Sequence, residues 1–438
     1  MSIEWITLFY FLFLFILMAS GLPLVFALGG ISVLFMLISW GVPSLYLLAA
    51  STWGTMNSFI LVAVPLFIFM ALILEKSGVA EALYDAIYLW FGPVRGGLAI
   101  GTLIICAMMG AMCGISGTAT VTMGLIALPS MLKRGYGKTL AIGCINSGGG
   151  WGILMPPSVD MIIYALIAQE SVGKMFAGGV IPCLVLLGCD STYILIRSYF
   201  QPHIAPAIAK ELRADFWTKV KSLKGLVLPV FVVLFVLGSI LVGIATPTEA
   251  ASLGVLGAII SAKVNKKLTW ETIKNAGGRS LNLTSMIIWI IFAASAYSAV
   301  FQGLGGAQVI TNAMQHIPAG RWGVFIFMQI IIFILSMLMN STSIMMITIP
   351  VFVPVIKALG FDSLWFGIIF IVQMTIGYMT PPFGYNLFYL KSVSPEGITM
   401  GDIYKSAIFF TMVELTGLII MCIFPNLILW LPNKLFGF

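Results

Sequence analysis

Two clusters of small polar residues, each followed by a double proline, are the residues whose types and spacing indicate a binding site. The first cluster occupies residues 114–118 and precedes Pro156-Pro157, and the second occupies 340–343 and precedes Pro381-Pro382. Proline removes a backbone donor and clashes with the preceding helical turn, so each pair should break a helix. In a membrane, the freed backbone groups are tolerated only against protein or a water-filled cavity. The pattern therefore predicts a polar site at two broken helices.

The two clusters belong to an internal repeat with an offset of 225 residues and no gap. Seven residues of the first copy meet identical residues in the second: Ser116, Pro129, Gly135, Gly152, Pro156, Pro157 and Tyr164. Each copy consists of two short apolar segments joined by the polar cluster, then an apolar segment broken by prolines. Broken helices at matching places in two halves are typical of the binding centre of a secondary transporter.

Composition indicates a membrane protein. Of the 438 residues, 60% are hydrophobic and only 8% are charged, and the mean hydropathy is +1.09. No water-soluble fold needs so many apolar side chains, so we expect several membrane spans. The first apolar segment lacks a basic leader and continues past Gly21 into another apolar run. It is therefore interpreted as a transmembrane helix and not as a cleaved signal.

Residues for enzymatic, metal or nucleotide chemistry are not found in the required patterns. The six cysteines lie in apolar runs without the spacing of metal ligands and are interpreted as small packing residues. His203 and His316 lie in polar connections far from other ligands. The triplet at 148–150 is followed by no Lys-Ser/Thr pair, so it is not a phosphate-binding loop. We expect a protein that is not an enzyme, holds no organic cofactor and binds no nucleic acid.

The apolar segments predict an all-α polytopic membrane protein built from two halves, residues 1–200 and 225–438, joined by a polar linker at 201–224. Each half should contain scaffold helices, a re-entrant helical hairpin and a broken helix. The hairpins are predicted at about 96–132 and 323–357, and the broken helices at about 139–168 and 364–390. Full spans are predicted near 4–19, 23–40, 57–75, 176–196, 226–245, 248–262, 281–302 and 406–428.

Five full crossings per half would insert the second half upside down, as an inverted-topology repeat. If the linker is cytoplasmic, all but four of the 22 Lys and Arg residues lie on the cytoplasmic side, as the positive-inside rule requires. The four on the other side are Lys174, Arg321, Lys357 and Lys434. The N-terminus is then periplasmic, the first hairpin opens to the cytoplasm and the second opens to the opposite face.

Several segments together resemble the large membrane subunit (M, DctM-like) of tripartite ATP-independent periplasmic transporters, the TRAP family. They are PLFIFM at 65–70, SGT at 116–118, KRGY at 133–136, GILMPPS at 152–158, ATPTEAA at 245–251 and TPPFG at 380–384. The likeness extends over almost the whole chain. It implies an elevator-type transporter of the bacterial inner membrane that uses a sodium gradient to import small organic acids. It also implies two partners, a periplasmic substrate-binding protein (P) and a small four-helix membrane subunit (Q).

The resemblance further implies two sodium sites, in which hydroxyls of a hairpin tip combine with backbone carbonyls of the following helix break. The first site comprises Ser116, Thr118, Gly152, Met155 and Pro157. The second site comprises Ser341, Ser343, Thr380, Pro381 and Gly384. The alternative role of the hydroxyls is to cap short helices. Asn340 stands where many family members have an acidic residue.

The substrate cavity is expected between the two hairpin tips. Helix N-termini there would present unpaired N–H groups and positive dipole ends, which suit a carboxylate. The candidates for its lining are Asn146, Ser147, Gly149, Gly150, Ser158 and Asn340. For the glycines, close helix packing is an alternative role.

Acidic residues in apolar segments need a reason, because a charge at the bilayer centre is costly. Glu249 follows Pro247 by two residues and is expected to cap its own helix. Asp160 follows the first break and is a weaker candidate for ion coupling. Asp190 and Glu414 are interpreted as contacts with another subunit or as residues that reach the membrane surface.

Other functions are open at this point. The main alternative is an ion-coupled anion symporter of similar architecture that acts alone, without a binding protein. An intramembrane enzyme is disfavoured because the sequence has no acid-rich or His-rich motif. A channel is disfavoured because it needs no duplicated hairpin and broken helix.

Overall fold

The computed structural model describes residues 3–207, 213–306, 308–309 and 320–437, and the regular secondary structure there is helical. The first half contains helices Ile3–Ala19, Leu24–Trp40, Leu45–Met56, Ala63–Lys76, Val79–Phe91, Gly97–Cys113, Thr118–Lys133, Lys138–Gly150, Val159–Ala168 and Val172–Phe200. The linker and second half contain Phe216–Ser222, Val227–Leu241, Pro247–Val264, Trp270–Gly303, Gly320–Leu338, Ser341–Ala358, Ser363–Tyr378, Tyr385–Val393, Met400–Ile423 and Asn426–Phe436. His316 lies outside the described residues.

Several helices have the length and composition of membrane spans. Among the described residues, seven are long and apolar enough to cross a bilayer, from Phe59–Lys76 to Met400–Ile423. Their outward surfaces carry large apolar side chains, such as Phe231, Ile326 and Ile423, which are more than half exposed. Such surfaces are stable only against lipid or another apolar surface. The expectation of an all-α polytopic membrane protein is confirmed.

The 225-residue offset relates helices well beyond the stretch in which the sequence shows identities. Shifted by 225, Gly97–Cys113 becomes 322–338, and the observed helix is Gly320–Leu338. Ile3–Ala19 becomes 228–244, and the observed helix is Val227–Leu241. One difference stands out: two consecutive helices of the first half correspond to the single helix Trp270–Gly303.

The first helix break is almost entirely buried, whereas the second is partly exposed at Pro382 and Phe383. The first, residues 151–158, separates Lys138–Gly150 from Val159–Ala168, and the second, residues 379–384, separates Ser363–Tyr378 from Tyr385–Val393. Every residue of Ser363–Tyr378 is buried. The proline pair in each break contains a cis peptide bond. The protein around the first break therefore keeps the backbone groups freed by its prolines away from lipid.

The helices form two groups. An inner bundle contains the two hairpins, the two broken helices, Val172–Phe200 and Met400–Ile423, which pack on one another. An outer scaffold contains Leu24–Trp40, Ala63–Lys76, Val227–Leu241, Pro247–Val264 and Trp270–Gly303. The groups meet where Ala63–Lys76 packs on the first hairpin and Trp270–Gly303 packs on the second.

Three features differ from the predicted spans. Helix Leu45–Met56 was not expected, because Ser51, Thr52 and Thr55 interrupt its apolar pattern. Trp270–Gly303 begins 11 residues before the predicted start at 281, since the Thr269 hydroxyl caps it by accepting the Thr272 N–H at 3.1 Å. The last predicted span, 406–428, is two helices that are separated near Phe424.

Glu249 has the capping role that the sequence indicated. Its carboxylate accepts the Thr246 backbone N–H at 2.8 Å, and the Thr246 hydroxyl accepts the Glu249 N–H at 3.3 Å. This reciprocal pair is a capping box at the start of Pro247–Val264, a helix of the outer scaffold. Glu249 therefore braces the scaffold.

We predict that Thr246→Ala lowers the stability of the folded protein by about 1 kcal/mol, because it removes the N-cap of a scaffold helix. The thermal unfolding midpoint of the detergent-solubilised protein measures this effect. Thr416→Ala is the matched control, because the exposed Thr416 hydroxyl bonds only a carbonyl of its own helix. Equal midpoints for the two variants would contradict the capping role.

Candidate functional site

The tip of the first hairpin packs directly on the first helix break. A Cβ atom built on Gly114 would lie 2.5 Å from the Pro157 carbonyl oxygen, and one built on Gly152 would lie 2.5 Å from the Ile115 carbonyl oxygen. The Gly114 carbonyl also accepts the Val159 N–H at 3.4 Å. Glycine is needed at both positions, because any side chain would force the two backbones apart.

The tip of the second hairpin meets the second break through Tyr378. The backbone N–H of Ser341 donates to the Tyr378 hydroxyl. Asn340 caps the following helix, because its side-chain oxygen accepts the Ser343 N–H at 2.8 Å. An amide oxygen is sufficient for this cap, so the position needs no carboxylate to start the helix.

A chain of amide hydrogen bonds connects the two halves. The Ser116 hydroxyl donates to the Asn386 side-chain oxygen at 3.2 Å. The Asn386 amide donates to the Asn146 carbonyl at 3.2 Å, and the Asn146 amide donates to the Met379 carbonyl at 3.4 Å. The first hairpin tip, both broken helices and the second break are therefore held in one network.

A cavity of about 240 Å³ lies at the junction of the two hairpin tips and the scaffold. The tips contribute Ser116 and Ser341, the break regions contribute Asp160 and Tyr378, and the scaffold contributes Ile287. The cavity is smaller than the ~300–1,000 Å³ usual for drug-sized ligands, which fits a small molecule. It is bounded by both helix groups.

Several buried oxygen atoms near the breaks have no hydrogen-bond partner among the described residues. They are Thr120 Oγ1, Asn146 Oδ1, Asp160 Oδ2 and Gln373 Oε1. Neutral oxygens and a single carboxylate are the donor types that hard cations prefer, and unwound helix carbonyls coordinate sodium in transporters of this kind. Each of these four oxygens is of a type that could serve as one ligand of a sodium ion.

The residues predicted for the first sodium site are partly brought together. Gly152 and Pro157 contact the tip loop that carries Ser116. Thr118 begins the outgoing hairpin helix and is half-buried, as is Met155 in the break. Among the described residues, no side chain caps the N–H groups at this helix start.

The residues predicted for the second site are connected less directly. Ser341 and Ser343 are buried at the second tip. The Thr380 hydroxyl donates to the Ile376 carbonyl at 2.6 Å and lies 3.3 Å from the Thr411 hydroxyl, on the side of Met400–Ile423. Pro381 is half-buried, and Gly384 packs against the carbonyls of Tyr378 and Thr380. Tyr378, whose hydroxyl accepts the Ser341 N–H, connects this break to the second tip.

Of the six residues predicted to line the substrate cavity, Asn340 lies on its wall. Gly149 packs on Thr120, and Gly150 packs on Asn386, both inside the bundle. The Ser158 hydroxyl donates to the Ile153 carbonyl at 2.6 Å and caps the following helix. Asn146 and Ser147 are buried in Lys138–Gly150, the helix that precedes the first break. These five residues hold the first broken helix in place.

The interpretation of Asp190 and Glu414 as contacts with another subunit or with the membrane surface is wrong. Both side chains are completely buried within the chain, on the two long helices of the inner bundle. Ser147 Oγ bonds Asp190 Oδ2 and lies 2.6 Å from Glu414 Oε1, which also accepts the Trp151 indole N–H at 2.8 Å. Ser147 therefore joins the two carboxyl groups, and Trp151 supplies a further donor to Glu414.

Sequence reasoning missed Asn386, Thr120 and Tyr378 as site residues. Asn386 and Thr120 are both fully buried, and their neighbours in sequence are largely apolar. A polar side chain in an apolar segment is the signal that would have marked them. Tyr378 carried no such signal, because tyrosines are common at membrane interfaces.

The whole inner bundle and most of the scaffold match a known family. Residues 11–427 match the family model described as "Tripartite ATP-independent periplasmic transporter, DctM component". The chain belongs to the DctM family. As a DctM component it is one part of a tripartite membrane transporter and is not an enzyme, which confirms the resemblance read from the motifs. The related proteins are multi-pass membrane transporters, which implies an inner-membrane location for this chain.

Curated relatives of this DctM family member span nearly its full length. It is 32% identical over 392 residues to the C4-dicarboxylate TRAP transporter large permease protein DctM of Pseudomonas aeruginosa, with 89% of this chain and 90% of that protein covered. It is 29% identical over 378 residues to the ectoine/5-hydroxyectoine TRAP transporter large permease protein UehC of Ruegeria pomeroyi, with 86% and 87% covered. The relatives therefore differ in the solute that their names give.

The fold also resembles a solved structure, the YdaH transporter of Alcanivorax borkumensis. The TM-score is 0.63, the sequence identity is 13%, and 98% of each chain is covered. At this identity the likeness concerns the fold of the DctM family member and not its solute.

We predict that Gly149→Ala destabilises the protein by about 1–3 kcal/mol, the usual effect of an added group in a full core. The new methyl group would overlap the Thr120 hydroxyl and lie 3.0 Å from the Thr120 Cα atom. Thermal unfolding of the purified protein measures the loss. Gly188→Ala is the matched control, because a Cβ atom there meets nothing within 4 Å. A Gly149→Ala variant as stable as the control would contradict the described packing.

Proposed function

We propose that the chain is the large permease of a sodium-driven, elevator-type importer of a small organic acid. A periplasmic substrate-binding protein (P) would deliver the acid, and a small four-helix membrane subunit (Q) would anchor the scaffold. The observation that carries this proposal is the cavity at which both hairpin tips and both break regions meet the scaffold. A site at such a boundary can be opened to either side when one helix group moves against the other.

The boundary between the two helix groups supports a sliding motion. A second cavity, of about 440 Å³, separates them along the second hairpin. One wall, formed by Leu45–Met56 and Trp270–Gly303, carries the hydroxyls of Ser51, Thr55, Ser295 and Ser298, and the opposite wall includes Met346. A crevice with hydroxyls along one wall could hold water, which would let the inner bundle move there without breaking a dry core.

The two hairpin tips are suited to different tasks. The helix after the first tip begins at Thr118 without a side-chain cap, so its N–H groups and positive dipole end are available to a carboxylate. At the second tip, Asn340 already occupies the Ser343 N–H. The substrate carboxylate is therefore assigned to the first tip, and the hairpins are proposed to be re-entrant from opposite faces.

We predict that labelling distinguishes the two membrane faces. Lys133→Cys at the outer end of the first hairpin should react with an impermeant maleimide only from the cytoplasm, and Ala358→Cys at the end of the second only from the periplasm. Right-side-out and inside-out vesicles of a variant without the six native cysteines provide the comparison. Reaction of both positions from one face would exclude an inverted arrangement.

We predict that Ser116→Ala raises the sodium concentration needed for half-maximal uptake at least about tenfold, since loss of a ligand or its support has that effect at metal sites. Proteoliposomes containing both membrane subunits and the P protein, with a sodium gradient, measure this. Ser130→Ala is the matched control, because Ser130 lies on the same hairpin and bonds Arg134 at its outer end.

Two results would contradict parts of the proposal. An unchanged sodium dependence in Ser116→Ala would remove Ser116 from the ion site. Uptake at the same rate with the P protein omitted would favour a symporter that acts alone.

A further inference from the structure

Three tyrosines of the second broken helix line one wall of the central cavity. They are Tyr378, which precedes the second break, and Tyr385 and Tyr389, which follow it. The ring centroids of Tyr378 and Tyr385 are 5.4 Å apart, and those of Tyr385 and Tyr389 are 6.4 Å apart. Both separations are typical of aromatic rings that interact. The three rings therefore form a continuous row, which we call the tyrosine row.

The tyrosine row extends from the tip of the second hairpin to the tip of the first. At the second tip, the Tyr385 hydroxyl approaches the Asn340 backbone N–H. At the first tip, a Cβ atom built on Gly117 would lie 2.6 Å from the Tyr389 ring. Tyr385 is half-buried, and Tyr389 is 40% exposed. Because both residues line the cavity, parts of both rings are available to its occupant.

The two tips differ in the N–H groups that they can offer to a carboxylate. At the second tip, the Ser341 N–H already donates to the Tyr378 hydroxyl. The Ser343 N–H donates to the Asn340 side chain. At the first tip, by contrast, no side chain of the described residues caps the helix that begins at Thr118. A solute carboxylate therefore finds free backbone donors at the first tip, where the tyrosine row ends.

The protein itself offers no balancing charge to a second carboxylate. Among the described residues that line the cavity, none is Lys, Arg or His. Tyrosine hydroxyls can donate hydrogen bonds, but a neutral donor does not compensate a full negative charge away from bulk water. Much of the remaining lining is aliphatic, including Ile68, Ile115, Ile153 and Leu283. The cavity therefore suits a solute with one carboxylate and an apolar body.

We propose that the central cavity selects a small aromatic monocarboxylate, whose ring packs against Tyr385 and Tyr389 while its carboxylate binds at the tip of the first hairpin. The inference rests on the proposed transport function and specifies its substrate class. Aromatic rings that pack on one another gain more than the burial of their area alone provides. A saturated ring of similar size loses that gain, so the tyrosine row distinguishes solutes by ring chemistry as well as by size.

Binding to the permease without the P protein tests the substrate class. The full chain, purified with its small membrane subunit in lipid nanodiscs, is titrated in neutral sodium buffer with benzoate, cyclohexanecarboxylate, terephthalate and succinate. The rise of the thermal unfolding midpoint gives a dissociation constant for each probe. We expect benzoate to bind most tightly and cyclohexanecarboxylate to bind at least about threefold more weakly, because it makes no aromatic contact. The two dicarboxylates should bind at least about tenfold more weakly, because their second charge is left unpaired.

Tyr389 supplies the second arm of the test. Tyr389→Leu removes the ring and should weaken benzoate binding at least about threefold, with a smaller effect on cyclohexanecarboxylate. Tyr389→Phe keeps the ring and should bind benzoate as the parent protein does. Phe388→Leu is the matched control, because Phe388 is the neighbouring residue, is 48% exposed and is not among the described residues that line the cavity.

Several results would overturn the inference. Benzoate that does not bind, or that binds no more tightly than cyclohexanecarboxylate or the dicarboxylates, would exclude the assigned class without using any variant. Equal benzoate binding by Tyr389→Leu and Phe388→Leu would remove Tyr389 from the site, and loss of binding in Tyr389→Phe would assign recognition to the hydroxyl instead of the ring. Failure of the transport proposal is distinguishable: uptake that depends on neither sodium nor the P protein would contradict the mechanism but leave the order of binding unchanged.

Discussion

The structure depends on one constraint: backbone amides and carbonyls that leave a helix inside a membrane must find partners within the protein. Pro156-Pro157 and Pro381-Pro382 create such groups in both halves. The tip of the first hairpin packs on the first break so closely that only glycine fits at the contact. Tyr378 connects the second break to the tip of the second hairpin. The hairpins are thus the partners that make broken helices possible, and the polar centre they enclose can serve a hydrophilic solute.

The two halves share helix bounds but not their polar contacts. Asn386 and Asn146 connect the breaks, yet the positions related to them by the 225-residue offset are Met161 and Ile371. The acid of the cavity, Asp160, likewise corresponds to Tyr385 in the second half. The duplication therefore supplies a symmetric frame, while single substitutions on one side produce a site with distinct ends.

The positions of the hairpins and broken helices could be predicted from the sequence because proline and glycine affect the local backbone conformation. The internal repeat also showed each of these patterns twice. Helix Leu45–Met56 and the early start of Trp270–Gly303 could not be predicted, since capping and tertiary packing override a broken apolar pattern there. The site residues at the hairpin tips could be predicted from the sequence. Asn386 and Thr120 could not, because their contacts depend on which face of each helix points into the bundle. The burial of Asp190 and Glu414 was missed for the same reason: their mutual partner, Ser147, lies on a third helix.

Trp270–Gly303 is a single helix of 34 residues where the first half has two shorter ones. At 1.5 Å per residue it is about 51 Å long, well beyond a hydrocarbon layer of about 30 Å. Its charged beginning, with Glu271, Lys274 and Arg279, must therefore extend past the lipid into the headgroups and water, or the whole rod must tilt steeply. Bilayer thickness is consequently coupled to the tilt of the helix on which the second hairpin packs.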